Sequence, residues 1–161
     1  MGKKLIIETG SVEHSRLVAK AVASVLEPGS VVGLIGILGA GKTEFVRGMV
    51  SGLKGGESIR VHSPSFSIVE EYGTKPKLVH VDLYRISDPE ELETTGLEDV
   101  VESRDSIAAI EWFDVARDFG LPPALVVEIG IGQHDDSRLM EFSSDDPKYE
   151  PVFRTLARIT R

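Results

Sequence analysis

The stretch at positions 31–46, VVGLIGILGAGKTEFV, constrains the fold more than any other part of the chain. An apolar run, Val31-Val32-Gly33-Leu34-Ile35, has the length of a buried strand, and after residue 43 the apolar spacing changes to a helical period through Phe45, Val46, Met49 and Val50. Between them lies Gly36-Ile37-Leu38-Gly39-Ala40-Gly41-Lys42-Thr43, which fits G-x-x-x-x-G-K-[ST]. It does so in the strand, turn, helix setting that this phosphate-binding loop requires.

The chemistry follows from the residue types. Gly36, Gly39 and Gly41 can adopt positive φ and let an anion approach the main chain, so that successive N–H groups form a concave nest. The helix that begins near Lys42 adds the positive end of its dipole. The phosphate-contacting set is therefore Leu38, Gly39, Ala40, Gly41, Lys42, Thr43 and Glu44. Lys42 bridges terminal phosphates as a point charge, and the Thr43 hydroxyl joins the shell of a Mg²⁺ held between phosphate oxygens.

Length and composition bound the rest. The 161 residues suit one α/β domain, 1–161, large enough for a sheet covered by helices. The absence of cysteine excludes a disulfide framework or a thiolate metal site. No apolar run approaches a membrane span, and the first residues lead into a short strand, so a cytoplasmic protein is expected. The net charge of -8 carries no long basic block, which argues against unaided binding of nucleic acid; any RNA would be held by another subunit.

In chain order, residues 4–9 read as a short strand. Ser11 caps a helix whose apolar positions are Val12, Leu17, Val18, Ala21, Val22, Val25 and Leu26. Residues 59–62 read as a further strand, and Ser63-Pro64-Ser65 as a loop. Phe66, Ile68, Glu70 and Tyr72 share one parity of a strand that pairs with 78–82 as a hairpin. Asp88-Pro89-Glu90-Glu91 is a helix entry, with an N-cap, a proline at the first position and acids at the positive end of the dipole. A second short helix covers 97–102. Residues 106–111 and 125–131 are strands, 132–137 is a turn, 138–143 pairs back as an edge strand, and 149–159 is a terminal helix. The alternation predicts a phosphate-loop NTPase-like α/β fold. Its sheet is mostly parallel and flanked by helices, with an antiparallel hairpin.

Ligands in such sheets bind beyond the carboxyl ends of the strands. Asp82 ends LVHVD and Glu111 ends SIAAIE, so both acids compete for the metal or catalytic role, and position alone does not rank them. The hydroxyls of 63–67 are placed to sense a metal or γ-phosphate. His14, His62 and His80 lack a metal-like partner at short spacing and read as structural or surface residues. Trp112 follows Glu111 and reads either as core or as part of the site.

Five segments resemble one family, the bacterial ATPase of tRNA threonylcarbamoyladenosine synthesis, TsaE or YjeE. They are LGAGKT (38–43), SPSFSIVEEY (63–72), HVDLYR (80–85), DPEELETTGLED (88–99) and IEW (110–112). The resemblance implies an ATPase, using ATP and Mg²⁺, that acts with TsaD and TsaB to form N6-threonylcarbamoyladenosine at position 37 of ANN-decoding tRNAs. The tRNA is contacted only through the complex. Carried over by position, Lys42 binds phosphates, Thr43 and Glu111 bind Mg²⁺, Asp82 is a catalytic or metal-linked acid, Trp112 is functional, and 63–67 is a switch-like loop. The chain departs from the family at Ile37, where Asp is usual, at Glu44, where Thr is usual, and at Phe113, where Pro is common. Ser11, Glu13 and Arg138 are further candidates near the base or phosphates. Two other readings use the same loop: a small-molecule kinase, and a nucleotide-gated binding module without hydrolysis.

Overall fold

The computed structural model describes residues 2–65, 67–117 and 119–160. In chain order it contains β1 (Lys3–Thr9), α1 (Val12–Ser24), β2 (Val31–Ile35), α2 (Lys42–Ser51), β3 (Val69–Tyr72) and β4 (Lys77–Asp82). Then come α3 (Pro89–Thr94), α4 (Leu97–Glu102), β5 (Ser106–Glu111), β6 (Leu125–Ile131), β7 (Arg138–Ser144) and α5 (Glu150–Ile159). Short 3-10 turns occupy Phe113–Ala116 and Pro147–Tyr149.

The strands form one 7-stranded sheet in the order β1-β7-β6-β2-β5-β4-β3. β6, β2, β5 and β4 run parallel at its centre. β3 folds back on β4 as the expected hairpin, and the other flank is antiparallel too, with β7 lying between β6 and β1. The fold is thus of the phosphate-loop NTPase-like α/β type, parallel in its core, with antiparallel strands on both flanks instead of a single hairpin.

The central strand β2 is buried because both of its faces are covered. Val32 and Leu34 pack with Val18, Val22, Phe45, Met49 and Leu156, under α1, α2 and α5. Val31 faces the other side with Leu92, Leu97, Val101 and Phe113, under α3, α4 and the first 3-10 turn. Beyond that cover, Leu139 on β7 and Ile6 on β1 are exposed. Tyr149 fastens the C-terminal segment to the same strand: its buried hydroxyl accepts from Val31 N (2.9 Å) and donates to Val31 O (3.2 Å). α1 and α2 approach closely because Gly48 has no side chain; a Cβ there would meet Arg16 O at 2.5 Å and the Ala19 methyl at 2.7 Å.

Local expectations hold at both capped helices. Ser11 Oγ accepts from His14 N at 3.0 Å, and Asp88 Oδ1 accepts from Glu90 N at 3.0 Å. Three expectations are corrected. Residues 59–62 form no strand: Ile59 N turns back to Gly56 O, and Arg47 Nη2 takes Val61 O at 2.6 Å, so the segment lies against α2 instead of entering the ladder. β7 is not an edge strand, because β1 pairs with its outer side. Leu17 is exposed and lies outside the apolar face of α1, which is made by Val18, Ala19, Val22 and Ala23. The parity expected for Phe66 lies outside the described residues.

Candidate functional site

The parallel register aligns the carboxyl ends of β2, β4 and β5: Leu34 lies opposite Glu111, and Asp82 opposite Glu111. Chain leaving β2 therefore enters the glycine-rich turn beside both acids. Gly39 (φ 83) and Gly41 (φ 108) adopt the left-handed conformation that a side chain disfavours. Gly36 does not take positive φ. It is required for space, because a Cβ there would meet Ile129 O at 2.7 Å and the Ala40 methyl at 2.9 Å. Ala40 is buried, and its N–H turns back to Ile37 O, so it shapes the turn from below. Gly41 is the N-cap of α2 and offers no side-chain acceptor, which leaves the first amides of that helix to an outside partner.

A cavity of about 360 Å³ opens over this turn. Its floor is Gly39, Gly41, Lys42, Thr43 and Glu44; its walls include Ser63, Asp82, Glu111 and Trp112; Leu38 and Tyr84 stand at the rim. Of the residues the sequence singled out, Leu38, Gly39, Gly41, Lys42, Thr43, Glu44, Asp82, Glu111 and Trp112 line it, and Ala40, Ser11, Glu13 and Arg138 do not.

Lys42 is held down. Its Nζ donates to Gly36 O (2.6 Å) and Ile37 O (2.9 Å) and lies 4.1 Å from the centre of the Trp112 ring. Burial pushes its pKa below the ordinary lysine value, against the pull of Glu111, Asp82 and Asp114. Trp112 is itself in the left-handed region (φ 60), a conformation costing on the order of 1–3 kcal/mol for a residue other than glycine. Tyr84 packs on its ring at a centroid distance of 5.1 Å.

The two acids differ in their partners. Glu111 receives the Thr43 hydroxyl at 2.9 and 3.0 Å and His80 Nε2 at 2.5 Å. Asp82 has both oxygens engaged, with Ser63 Oγ donating at 2.5 Å and Tyr84 N at 2.9 Å. Of the two acids, Glu111 is the one hydrogen-bonded to the Thr43 hydroxyl. Among the described residues no group of three or more His, Cys, Asp or Glu side chains is arranged to hold a metal. A cation here would take only the Thr43 hydroxyl and the Glu111 carboxylate from the protein and complete its shell with phosphate oxygens and water. That hard-oxygen, protein-poor donor set is the one Mg²⁺ uses.

Two departures from the motif have physical accounts. Glu44 bonds Arg16 Nε at 2.6 Å and pairs with Arg47, bridging α1 and α2. Burial works to raise its pKa, but the hydrogen bonds from Arg47 and Arg16 outweigh that and hold it below the ordinary carboxylate value. Its charge is thus neutralised beside the loop. Ile37 is exposed and brings an apolar edge to the turn. Arg138 does not reach over the cavity: its Nε donates to Ala40 O at 2.7 Å and its Nη1 to Ser137 O at 2.8 Å, which staples β7 to the loop. His80, read from the sequence as structural or surface, is buried beneath the site with Nε2 on Glu111 Oε2. Its period-two spacing from Asp82 within β4 was the available signal.

A phosphate-binding turn, a helix N-terminus and two strand-end acids at the edge of a parallel sheet define an α/β domain of the phosphate-loop NTPase type. Comparison with known proteins narrows this. The family model described as "Threonylcarbamoyl adenosine biosynthesis protein TsaE" matches residues 9–140. The tRNA threonylcarbamoyladenosine biosynthesis protein TsaE of Haemophilus influenzae is 42% identical over 116 residues, 71% of this chain and 70% of that protein. Its Bacillus subtilis counterpart is 34% identical over 158 residues, 97% and 96% respectively. The crystal structure of Bacillus subtilis YdiB superposes with a TM-score of 0.80 at 29% identity, covering 100% of this chain and 99% of that one. The chain belongs to the TsaE family of tRNA threonylcarbamoyladenosine biosynthesis proteins. The family model extends on both sides of the five resembling segments, from the last residue of β1 to the first residues of β7. Among the described residues no helix is long and apolar enough to cross a membrane.

Proposed function

We propose that the chain binds and hydrolyses ATP with Mg²⁺ as the cytoplasmic ATPase subunit that supports N6-threonylcarbamoyladenosine formation at position 37 of ANN-decoding tRNAs, together with TsaD and TsaB. The observation that carries this reading is the convergence of Lys42, Thr43, Asp82 and Glu111 on one cavity over a glycine-rich turn. The amides at the start of α2 hold phosphate oxygens, and Lys42 leaves the Gly36 and Ile37 carbonyls to bridge the terminal phosphates. Thr43 and Glu111 would hold Mg²⁺, whose chemistry would be charge neutralisation at the phosphoryl oxygens. Asp82, fixed by Tyr84 N and joined to Ser63, ties the adjoining 63–65 segment to the cavity, so that nucleotide state and loop position depend on each other.

A kinase reading needs an arginine-bearing lid, and the engagement of Arg138 with the loop carbonyls counts against it. Trp112, stacked against Lys42, is placed to respond when the ammonium moves.

The test reconstitutes the chain with TsaD, TsaB and tRNA and follows modified tRNA over many turnovers. Product that accumulates with ATP, stalls with a non-hydrolysable analogue, and is accompanied by phosphate release without a phosphorylated acceptor supports the reading. Equal product with the analogue, or undiminished yield when this chain is omitted, overturns it.

A further inference from the structure

His80 and Tyr72 are buried polar residues for which the phosphate site as described has no use. His80 is wholly inaccessible to solvent. It shares its side of the sheet with Leu78 and Ile107, where a leucine would pack without any polar requirement. Burying an imidazole there is costly unless both ring nitrogens are satisfied, and both are. Nε2 lies 2.5 Å from Glu111 Oε2, and Nδ1 lies 3.2 Å from the Tyr72 hydroxyl. That hydroxyl is also 3.3 Å from the carbonyl of His62, the residue before Ser63.

The chemistry of the groups orients this chain of contacts. The Glu111 carboxylate accepts, so Nε2 is the donor of that pair, and in the Nε2–H tautomer Nδ1 is an acceptor. Tyr72 keeps its proton, because burial raises its pKa and the charges of Glu70 and Glu111 raise it further, against the opposing hydrogen bond to His62. One phenolic proton therefore faces two acceptors, His80 Nδ1 and His62 O, and serves one at a time. A second contact ties the same segment to the site, since Ser63 Oγ is bound to Asp82.

We propose that His80 is a positioning residue for Glu111, and that the path Glu111, His80, Tyr72, His62 couples the carboxylate beside Thr43 to the main chain entering the 63–65 segment. His80 holds the Glu111 carboxylate turned toward Thr43, as outer-shell hydrogen bonds hold metal-ligating groups elsewhere. A change in the carboxylate's position alters the pull on the imidazole and, through it, the choice the Tyr72 hydroxyl makes between ring and carbonyl. The catalytic side of this inference rests on the ATPase reading above; the hydrogen-bond path does not.

The experiment has two arms. In the nucleotide-free protein, imidazole ¹⁵N NMR is expected to find the His80 proton on Nε2, downfield and slow to exchange, with its position moved by both Glu111→Gln and Tyr72→Phe. A proton on Nδ1, or a signal indifferent to both substitutions, overturns the path whether or not the protein binds nucleotide. With MgATP, the single tryptophan, Trp112, reports binding by fluorescence. Tyr72→Phe should bind within about threefold of the wild type and lose the protection that MgATP confers on the amides of 62–65. His80→Ala should lower kcat by about 10–100-fold at nearly constant KM, and His80→Gln, whose amide nitrogen takes the place of Nε2, should restore most of it. A kcat for His80→Ala within about twofold of wild type would refute the positioning role. Should that variant fail to fold by circular dichroism, Tyr72→Phe and His80→Gln decide the matter, and unchanged 62–65 protection in Tyr72→Phe counts against the coupling. A wild type that shows no response to MgATP defeats the ATPase reading, while the NMR arm still decides the path.

Discussion

Lys42 is the residue on which the proposed nucleotide binding turns, and its partners are two loop carbonyls and the Trp112 ring. An ammonium buried this far would be costly without hydrogen bonds; two loop carbonyls and an indole face satisfy it. Those partners are weaker than a triphosphate, so the side chain is free to transfer when phosphate arrives. Lys42→Ala should abolish measurable MgATP binding, whereas Glu111→Ala should retain much of the affinity and lose about a hundredfold or more in turnover; equilibrium fluorescence and phosphate release separate the two. Glu44 makes a different prediction, about pH. Its native pKa is depressed, so its stabilising effect is whole above the ordinary carboxylate range and is lost as pH falls through the native value. Glu44→Gln should cost about 0.5–1 kcal/mol at neutral pH, because the pairs are partly solvated, and the urea midpoints of variant and parent should converge as pH falls below the ordinary carboxylate range. Lys42 and Thr43 were legible in the sequence because the loop is a contiguous pattern. His80 was not, because its role depends on the parallel register that sets Asp82 beside Glu111 and carries His80 within reach of the same acid. Glu44 was half legible: Arg47 lies three residues on, along the helix, but Arg16 arrives only through the packing of α1 on α2.

At the scale of elements, the loop is held from three directions: β2 leads into it, α2 leads out, and Arg138 of β7 grips its carbonyls. Gly48 makes the α1–α2 side of this frame possible. Replacing it with alanine gains about 1 kcal/mol of helix propensity, but the new methyl meets backbone of α1, a clash worth about 1–3 kcal/mol that the main chain of Arg16 cannot easily relieve. Gly48→Ala should therefore be net destabilising by urea unfolding; a more stable variant would contradict the packing described. Tyr149→Phe should cost about 1–2 kcal/mol, since it leaves buried main-chain groups of β2 without their partner. Most elements could be read in advance. The strands at 106–111 and 125–131 and the helix at 97–102 match their apolar patterns, because periodicity and burial agree there. The 59–62 segment misled for a physical reason: Ile59 and Val61 are apolar and alternate, but Val61 is buried and Ile59 half-buried in the core shared with α1 and α2, and alternation does not say which neighbour does the burying.

Over the whole molecule, the parallel core gathers the carboxyl ends of β2, β4 and β5 at one edge, and the antiparallel flanks leave that edge open to ligand and partner. This could be read from the sequence as far as the phosphate loop and two strand-final acids imply it. The pairing of β7 back on β6 could be read too, from the turn at 132–137, but the place of β1 could not, since β1 and β7 are distant in the chain and meet only in the finished sheet. The comparisons give the family, and the geometry supports the local chemistry proposed for it. The most direct measurement is calorimetric titration of the purified chain with MgATP, run beside Lys42→Ala. One saturable site in the parent and no heat in the variant is the predicted result. No heat in the parent, or equal heat in both, would contradict the assignment of that turn as a phosphate cradle.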